Sequence, residues 1–345
     1  MAPTDLTRVP STDPLEIYRY RDGLYAADLL TAAVVHFDFF SWLAGKPSDL
    51  AGICRQFEFK ERPADVMLTL FTAMGLVRRK GKVFHTAEVA REHLTSGSPW
   101  NLAPYYASLK DRPVCLDFVK VLKTGKPANW GSQKDQFDWH KAMETEPFAR
   151  QFTAAMDCRG LYLAQAMARR LNFRGRARLL DIGGGSGIYA CSMAAHHPHL
   201  HATVFDQSPV DKIAARLIAE RGFTDRVEVR AGNFFNDPWP ADHDVHLFSN
   251  VLHDWDTPEL QRLVTNSFVA LPRGGLLIIH DAFINADKTG PLPVAAYSAL
   301  LMHATQGKCY STAEYEEFLS DAGFGEFHHF PTAADRGVMT AQKPG

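Results

Sequence analysis

A glycine-rich stretch that follows an acid is the part of the sequence best suited to hold a ligand. It reads LLDIGGGSGI and runs from Leu179 to Ile188, with the acid at Asp181. A strand that turns on glycines into a helix lets a ligand lie against the backbone, because no side chains stand in the way. At the end of the next apolar run, Asp206 offers a carboxylate that can accept hydrogen bonds from the two ribose hydroxyls of an adenosine.

The spacing of the glycines separates this turn from a dinucleotide-binding loop. The dinucleotide fingerprint needs a third glycine three residues after the second, and counting from Gly183 and Gly185 that position is Ile188. The Asp181 carboxylate would also repel a pyrophosphate, whereas it suits a ligand with a positive charge, such as a sulfonium with its α-amino group. A glycine turn without a ligand is the alternative, and three successive glycines beside two acids argue against it.

The C-terminal half alternates short apolar runs with segments of helix length. This alternation predicts an α/β fold with a parallel, doubly wound sheet that is covered by helices on both faces. The predicted strands are residues 178–182, 201–206, 227–230, 245–248 and 276–279, and the predicted helices are residues 188–195, 209–221 and 258–271. Ligands of such sheets bind at the carboxyl ends of the strands, which is where Asp181 and Asp206 fall.

The N-terminal half has a helical pattern instead. Apolar residues recur at three- and four-residue spacing from Pro14 to about residue 110, and two short strands form a hairpin around a Lys-Gly turn at Leu76–His85. Helices followed by a hairpin are the winged-helix arrangement. We predict a winged-helix-like domain at 14–110, a helical linker at 111–174 and a ligand-binding domain at 175–345.

Composition narrows the class of protein. The chain has 345 residues and a formal net charge of -2, which favours neither nucleic acid nor an anionic membrane as a partner. Five scattered cysteines without a CxxC pair predict free thiols in a reducing compartment and no zinc site. The polar N-terminus has no signal-peptide core, and no apolar run is long enough to span a bilayer. We therefore expect a cytoplasmic protein without a membrane partner.

Four motifs carry a resemblance to a known family. They are the glycine turn, GNFF at Gly232–Phe235, LHDW at Leu252–Trp255 and LPRGG at Leu271–Gly275. The C-terminal half resembles the class I S-adenosylmethionine-dependent methyltransferases, which have a Rossmann-like doubly wound sheet. Nearly the whole chain resembles the plant-type O-methyltransferases, a family that includes caffeate and hydroxyindole enzymes and bacterial antibiotic-tailoring relatives. In that family an N-terminal winged-helix domain forms a homodimer.

The resemblance implies a methyltransferase that uses S-adenosyl-L-methionine, without a metal, on a small-molecule acceptor. It implies cofactor contacts from Asp181, Gly183, Gly184, Gly185, Gly187, Asp206, Gln207, Asn233, Phe234, Ser249 and Asn250. Two of these positions depart from the family pattern. Relatives usually carry an aspartate that contacts adenine where Asn233 stands, and plant members carry a lysine where Ser249 stands.

The resemblance makes His253 the general base that takes the acceptor's proton. Methyl transfer is an in-line displacement from a good leaving group, so the protein mainly aligns the partners and helps to deprotonate the nucleophile, a task that suits an imidazole. Asp281 stands where relatives carry the glutamate that orients the histidine, and Asp254 is the near alternative. Because aspartate is shorter, we expect a looser or water-mediated contact. Cys309 stands where plant enzymes carry a second glutamate.

Because fewer acids support the histidine base than in the plant enzymes, the sequence allows several kinds of acceptor atom. O-methylation is the expected reaction, and methylation of a thiol, amine or carbon acceptor is the alternative, because such atoms ionise or react with less help. A third interpretation keeps the cofactor for hydroxylation, decarboxylation or pericyclic chemistry, and the intact His253 argues against it. The residues expected near the acceptor, with ordinary core packing as the alternative for each, are Trp139, Met156, Met302, His303 and Tyr310.

The winged-helix pattern raises a rival class, a DNA-binding regulator. The helix that would enter the groove spans residues 63–74 and carries Asp65 but no Lys or Arg, so it lacks the usual phosphate and guanine contacts. The basic run at residues 78–82 is explained by a solvated wing. The apolar residues that we expect to pack against a partner chain are Leu68, Leu70, Phe71 and Leu76. We therefore expect a homodimer and no nucleic-acid partner.

Overall fold

The structure is a computed structural model, and it describes residues 5–128 and 139–345. The α-helices in these ranges are α1 (Leu15–Asp22), α2 (Ala26–Thr31), α3 (Phe39–Gly45), α4 (Leu50–Phe57), α5 (Glu61–Ala73), α6 (Glu88–His93), α7 (Ala103–Tyr106), α8 (Pro113–Thr124), α9 (Trp139–Met143), α10 (Glu146–Ala168), α11 (Ile188–His196), α12 (Val210–Glu220), α13 (Thr257–Ala270), α14 (Leu292–Ala304) and α15 (Thr312–Ala322). A π-helix spans Ala32–His36, and 3-10 helices span Ala107–Leu109 and Leu252–Asp254. The strands are β1 (Ser48–Asp49), β2 (Val77–Lys80), β3 (Val83–Thr86), β4 (Arg178–Ile182), β5 (His201–Asp206), β6 (Val227–Ala231), β7 (Val245–Ser249), β8 (Leu276–Asp281), β9 (Gly325–Pro331) and β10 (Gly337–Gln342).

Seven strands form one sheet in the order β6-β5-β4-β7-β8-β10-β9. The five strands predicted from the sequence are confirmed, and they pair in parallel from β6 to β8. The predicted parallel sheet is extended at one edge by two further strands, which make it mixed, because β10 pairs antiparallel with both β8 and β9. The edge strand β9 has the sequence GEFHHFP, and its two adjacent histidines and final proline suit an edge position. The same residues break the apolar pattern by which a strand is predicted from sequence.

Strand β4 explains where the glycine turn falls. The four residues from Leu179 to Ile182 are buried, as expected for a parallel strand that is covered on both faces. The chain moves outward from β4 through β5 to β6 and then returns to β7 on the other side of β4. This reversal makes the carboxyl edge beside β4 the switch point at which ligands bind in such folds.

The long helix α10 packs against α11, which begins where the glycine turn ends. Gly160 permits this approach, because a Cβ at its position would lie only 2.5 Å from Cγ2 of Ile188, the first residue of α11. Carbon atoms cannot approach so closely, so a glycine is needed at this position. The packing of α10 thereby fixes the start of α11 and the turn that precedes it.

The chain divides into two compact units whose segments interleave. The sheet unit consists of Met1–Glu16, Asp138–Phe283 and Thr312–Gly345, and the helical unit consists of Ile17–Phe137 and Ile284–Ser311. The domain boundaries drawn from the sequence stay a prediction, and these units differ from them in several places, of which two matter most. The helix α10, predicted as part of the linker, belongs to the sheet unit, and α14 from the C-terminal half belongs to the helical unit.

The helical unit contains the predicted hairpin, in which β2 and β3 pair antiparallel around Gly81. The expectation that α5 packs against a partner chain is wrong. Its residues Leu68, Leu70 and Phe71 are at most 1% exposed within this chain, and α5 packs against α14. Leu76, just after the helix, is half-buried. The apolar pattern of α5 predicts that the helix is buried, but it cannot identify α14, which lies far later in the sequence, as the helix that covers it.

Charged residues of α5 also bind the segments that precede and follow α14. Asp65 accepts hydrogen bonds from Nζ of Lys308 at 2.5 Å and from Nζ of Lys288 at 3.0 Å. One turn earlier, Arg62 donates to the carbonyl oxygen of Gly307 at 2.7 Å. The helix that would read DNA in a winged-helix regulator therefore directs its charges to contacts within its own chain.

The described residues also bear on disulfides, metals and membranes. All five cysteines are free thiols. Among the residues that the structure describes, no three His, Cys, Asp or Glu side chains are grouped so that they could hold a metal ion. Within the same ranges no single helix has the length and apolar character to cross a bilayer, although one bent pair, Leu15–His36 with Phe39–Gly45, passes by length and composition.

Candidate active site

The glycine turn adopts backbone conformations that other residues rarely reach. Gly183, Gly185 and Gly187 have φ values of +68°, +58° and +72°. The space at the turn is equally restrictive, since a Cβ on Gly184 would lie 2.7 Å from the carboxyl carbon of Asp181. Conformation and space together require glycine here.

Asp206 ties this turn to the end of β5. Its Oδ2 atom accepts a hydrogen bond from the backbone N–H of Gly185 at 2.9 Å, and its Oδ1 atom accepts one from the backbone N–H of Gln207 at 2.8 Å. Burial raises the pKa of Asp206 to about 6, although both hydrogen bonds lower it. A carboxylate offers about four lone-pair positions, so Asp206 keeps capacity for donors from a ligand.

Buried polar atoms near the turn have no hydrogen-bond partner among the described residues. They are both carboxylate oxygens of Asp181 and Oδ1 of Asn250. Burial raises the pKa of Asp181 to about 7 and the charge of Asp206 adds to this rise, while the backbone N–H of Ala190, which approaches the carboxylate without good hydrogen-bond geometry, lowers it. Since buried polar atoms in folded proteins are normally hydrogen-bonded, these atoms indicate a ligand that supplies donors. An ammonium group suits Asp181 best, because a positive charge offsets the cost of burying a carboxylate.

Asn233 and Phe234 follow β6 and lie where contacts to adenine were expected. Oδ1 of Asn233 accepts a hydrogen bond from the backbone N–H of Phe235 at 2.9 Å, and the amide nitrogen Nδ2 can donate to a ligand. The Phe234 ring borders the turn, since its Cε1 atom lies 3.5 Å from the position that a Cβ on Gly183 would take.

Two residues beside this site, Tyr189 and Arg159, were not identified from the sequence. Asn250 follows β7 with a φ of +54° and donates from Nδ2 to the Tyr189 hydroxyl at 3.0 Å. Burial raises the pKa of Tyr189, while the Arg159 guanidinium and hydrogen bonds from Asn250 and Ser249 lower it. An arginine in the middle of α10 gives no sequence signal, because only the packing of α10 on α11 brings it near Tyr189.

His253 and Asp281 form a buried pair at the carboxyl ends of β7 and β8. Nδ1 of His253 lies 2.5 Å from Oδ1 of Asp281, and the side chains are 3% and 1% exposed. Burial raises the pKa of Asp281, but the charge of His253 and its hydrogen bond outweigh burial, so the pKa falls below its usual value. The expectation of a looser or water-mediated contact is wrong, since the two side chains meet directly.

Asp254 lies on the opposite side of the imidazole and does not hydrogen-bond to it. Its Oδ1 atom is 3.7 Å from Nε2 of His253, which is beyond hydrogen-bond distance. Burial raises the pKa of Asp254 to about 6, against a lowering by His253. The two acids therefore have different relations to His253. Asp281 contacts Nδ1 and holds the ring in place, whereas Asp254 lies near Nε2 without a hydrogen bond to it.

The residues predicted for the acceptor pocket fall in both units. Met156 is half-buried on α10 of the sheet unit. Trp139 is the first residue of α9, and the structure describes its backbone only. In the helical unit, Met302, His303 and Tyr310 are 0%, 4% and 1% exposed. Their burial agrees with either a pocket or core packing.

His303 has the contacts of a core residue. Its ring lies 4.8 Å from the Tyr25 ring and 5.3 Å from the Phe118 ring, measured between centroids. Its Nε2 atom is 3.4 Å from Oδ2 of Asp117. Cys309, in the segment after α14, is 3% exposed, and its backbone N–H donates to Oγ of Ser298 at 3.0 Å.

Fold and site together define the class of protein: a Rossmann-like α/β enzyme with a site for a cationic adenosine cofactor and a buried histidine–aspartate pair at the carboxyl edge of its sheet. The family model described as the O-methyltransferase domain matches residues 121–325, and the chain belongs to this family. The enzyme is therefore an S-adenosylmethionine-dependent methyltransferase that acts on a small molecule.

Relatives and solved structures agree over nearly the full length. The 3-hydroxy-5-methyl-1-naphthoate 3-O-methyltransferase of Streptomyces sahachiroi is 30% identical over 93% of each chain. An O-methyltransferase family 2 protein from Planctomyces limnophilus DSM 3776 is 33% identical with a TM-score of 0.89, over 99% of this chain and 100% of that one. Human N-acetylserotonin methyltransferase, at 22% identity and a TM-score of 0.62 over 98% and 100% of the two chains, shares the fold.

Proposed function

We propose that this enzyme methylates a hydroxyl oxygen of an aromatic small molecule, with His253 as the general base. The direct contact between His253 and Asp281, at 2.5 Å in a buried setting, is the observation that carries the proposal. The names of two relatives support an aromatic hydroxyl: the naphthoate 3-O-methyltransferase and, at 28% identity, the tetracenomycin 8-O-methyltransferase of Streptomyces glaucescens. The Planctomyces limnophilus structure contains apigenin.

The proposed cofactor site uses the atoms that lack partners. When bound, S-adenosylmethionine supplies an electrophilic methyl group on a sulfonium. Asp181 would accept from the α-ammonium group, Asp206 would accept from the ribose hydroxyls, and Nδ2 of Asn233 would donate to a ring nitrogen of adenine. The other residues assigned to this site are Gly183, Gly184, Gly185, Gly187, Gln207, Phe234, Ser249 and Asn250.

His253 performs the proton transfer in this proposal. Its Nδ1–H donates to Asp281, which fixes the tautomer and directs the lone pair of Nε2 towards the acceptor hydroxyl. Nε2 takes the hydroxyl proton as the oxygen attacks, and Asp281 stabilises the resulting imidazolium without taking the proton itself. Asp254, at 3.7 Å from Nε2, adds to that stabilisation when it is ionised.

No metal is needed for these steps, so we propose a metal-free mechanism. The sulfonium would leave as a neutral thioether without help from a Lewis acid, and His253 already provides for the acceptor proton. Dialysis against EDTA should therefore leave turnover unchanged. A loss of activity that added magnesium or zinc restores would contradict this part of the proposal.

We further propose a homodimer formed through the helical unit, in a cytoplasmic enzyme that needs neither nucleic acid nor a membrane. Large apolar side chains that stay exposed in this unit support the dimer, and they include Ile17, Tyr20, Leu24, Trp100, Leu102, Tyr105 and Leu109. The burial of α5 argues against DNA binding, and the five free cysteines suit a reducing compartment. Light scattering with size-exclusion chromatography tests for the homodimer. A gel-shift assay tests for DNA binding, and we expect no shift.

Methylation of nitrogen or carbon is the second candidate. Two relatives at 28% identity support it: the N,N-dimethyltransferase OxyT of Streptomyces rimosus and the L-tyrosine C(3)-methyltransferase of Streptomyces lavendulae. Incubation with labelled S-adenosylmethionine and a matched panel of phenols, thiols, amines and carbon nucleophiles separates the candidates. We expect label on phenolic oxygen with release of S-adenosylhomocysteine. Cofactor binding without that release on any acceptor would favour hydroxylation, decarboxylation or pericyclic chemistry instead.

A further inference from the structure

Asp281 receives hydrogen bonds on both of its carboxylate oxygens. Oδ1 accepts from Nδ1 of His253 at 2.5 Å and from the backbone N–H of Ala282 at 2.7 Å. Oδ2 accepts from the hydroxyl of Tyr315 at 3.4 Å. The histidine thus stands at one end of a chain of three side chains, and the tyrosine at the other.

Tyr315 is held firmly enough to define the position of its hydroxyl. It lies in the first turn of α15 and is 0% exposed. Its ring packs against the Phe283 ring at 5.3 Å between centroids with an interplanar angle of 67°. A buried hydroxyl needs an internal partner, and Oδ2 of Asp281 provides one.

We propose that Tyr315 is a positioning residue for methyl transfer, which fixes the plane of the Asp281 carboxylate and moderates the negative charge that this group presents to His253. The proposal rests on the assignment of His253 as the base. A carboxylate that is bonded through one oxygen can turn about its last side-chain bond, whose rotamers are broad. A donor on the second oxygen limits that rotation, so the imidazole keeps one orientation.

Other charged or titratable groups surround the pair and stay in place when Tyr315 changes. His280 precedes Asp281 on β8, Asp254 follows His253, and Arg336 approaches from the start of β10. The Arg159 guanidinium on α10 acts on Asp254 and on His280. Exchange of tyrosine for phenylalanine removes one hydroxyl and keeps the ring against Phe283, so the experiment isolates a single donor.

Tyr315→Phe is the test, and Tyr162→Phe is its matched control. Tyr162 also donates to an aspartate, Oδ1 of Asp13 at 3.3 Å, and the bond is exposed. In Tyr315→Phe the carboxylate keeps more charge for the imidazole, which favours the imidazolium. We expect the acid limb of the pH profile of kcat/KM to move up by roughly half a unit, with a fall in kcat of roughly threefold to tenfold. The Kd of S-adenosylmethionine should stay unchanged.

A second readout needs no turnover. In the cofactor-free enzyme, ¹⁵N NMR of the histidines follows the His253 imidazole directly, and its signal is assigned by its loss in His253→Asn. The titration midpoint of that signal should move to higher pH in Tyr315→Phe and not in Tyr162→Phe. With Asp281→Asn already present, addition of Tyr315→Phe should change neither the midpoint nor kcat, because the charge that the hydroxyl moderates is gone.

An unchanged midpoint and an unchanged acid limb in Tyr315→Phe would overturn the proposal, and so would equal shifts in both tyrosine variants. Failure of the base assignment would give a different result, namely full turnover in His253→Ala. The two failures are therefore distinguishable, since loss of turnover in His253→Ala with no shift in Tyr315→Phe rejects only the role of Tyr315.

Discussion

Gly160 and Ile188 approach so closely that a Cβ on the glycine would lie 2.5 Å from Cγ2 of the isoleucine. This relationship joins α10 to the residue at which α11 leaves the glycine turn. The glycine turn is therefore held in place by a helix that contributes no residue to the glycine motif. It follows that the turn can be disturbed from a distance.

Gly160→Ala should weaken cofactor binding without touching a cofactor contact. The added methyl group must push α11 or α10 aside, and overpacking of this kind costs about 1–3 kcal/mol. We expect a lower melting temperature and a higher Kd for S-adenosylhomocysteine by calorimetry. Gly45→Ala is the control, because a Cβ there would meet nothing within 4 Å. Wild-type affinity in Gly160→Ala would show that the two helices adjust without moving the turn.

Cofactor affinity should depend on pH through Asp181. Burial raises the pKa of Asp181 to about 7 and that of Asp206 to about 6 in the absence of a ligand. A cation favours the ionised carboxylate, so binding lowers the pKa and releases a proton at pH values below the ligand-free pKa. Affinity should fall as the pH drops below 7, by up to about tenfold per unit and per carboxylate.

Calorimetry at pH 6.5 in two buffers of different ionisation enthalpy measures this proton release. The observed binding enthalpy should differ between the buffers in wild-type enzyme, and the difference should shrink in Asp181→Asn. The exposed Asp225→Asn variant is the control. Identical enthalpies in both buffers for the wild-type enzyme would show that Asp181 is ionised before the cofactor arrives.

His253→Ala should lower kcat on a phenolic acceptor by about a hundredfold or more, because general-base catalysis contributes that much. The Kd of the cofactor should stay the same. His328→Ala, an exposed histidine on β9, is the control. On an amine acceptor the loss should be much smaller, since an amine needs less help to react. A small effect on the phenol as well would exclude His253 as the base.

Asp65→Asn should destabilise the segment that follows α14. The change removes the negative charge that lies 3.0 Å from Nζ of Lys288 and 2.5 Å from Nζ of Lys308. For such a partly buried pair we expect a loss of about 1–3 kcal/mol in the free energy of unfolding. Hydrogen exchange should rise at residues 305–311. Glu61→Gln, which removes an exposed charge from the same helix, should change neither quantity.

The sequence contained the parts of the site that depend on local spacing. The glycine turn, the acids that end β4 and β5, and the histidine after β7 could all be identified because each is tied to a strand end. Contacts between distant segments left no such signal. Three features of this kind are the packing of α14 on α5, the antiparallel strands β9 and β10, and the contact of Tyr315 with Asp281. Each depends on packing between distant segments, and the sequence of one segment does not identify the other.

The interleaving of the two units constrains how this enzyme can be synthesised and recombined. A ribosome delivers residues 17–137 of the helical unit long before it delivers residues 284–311. The apolar face of α5 therefore remains without α14 through most of translation. During that time the nascent chain exposes apolar surface that is prone to aggregation. A chimera made by one crossover near residue 110 would combine α5 of one parent with α14 of the other. Exchange of the helical unit between relatives therefore requires two segments to be moved together.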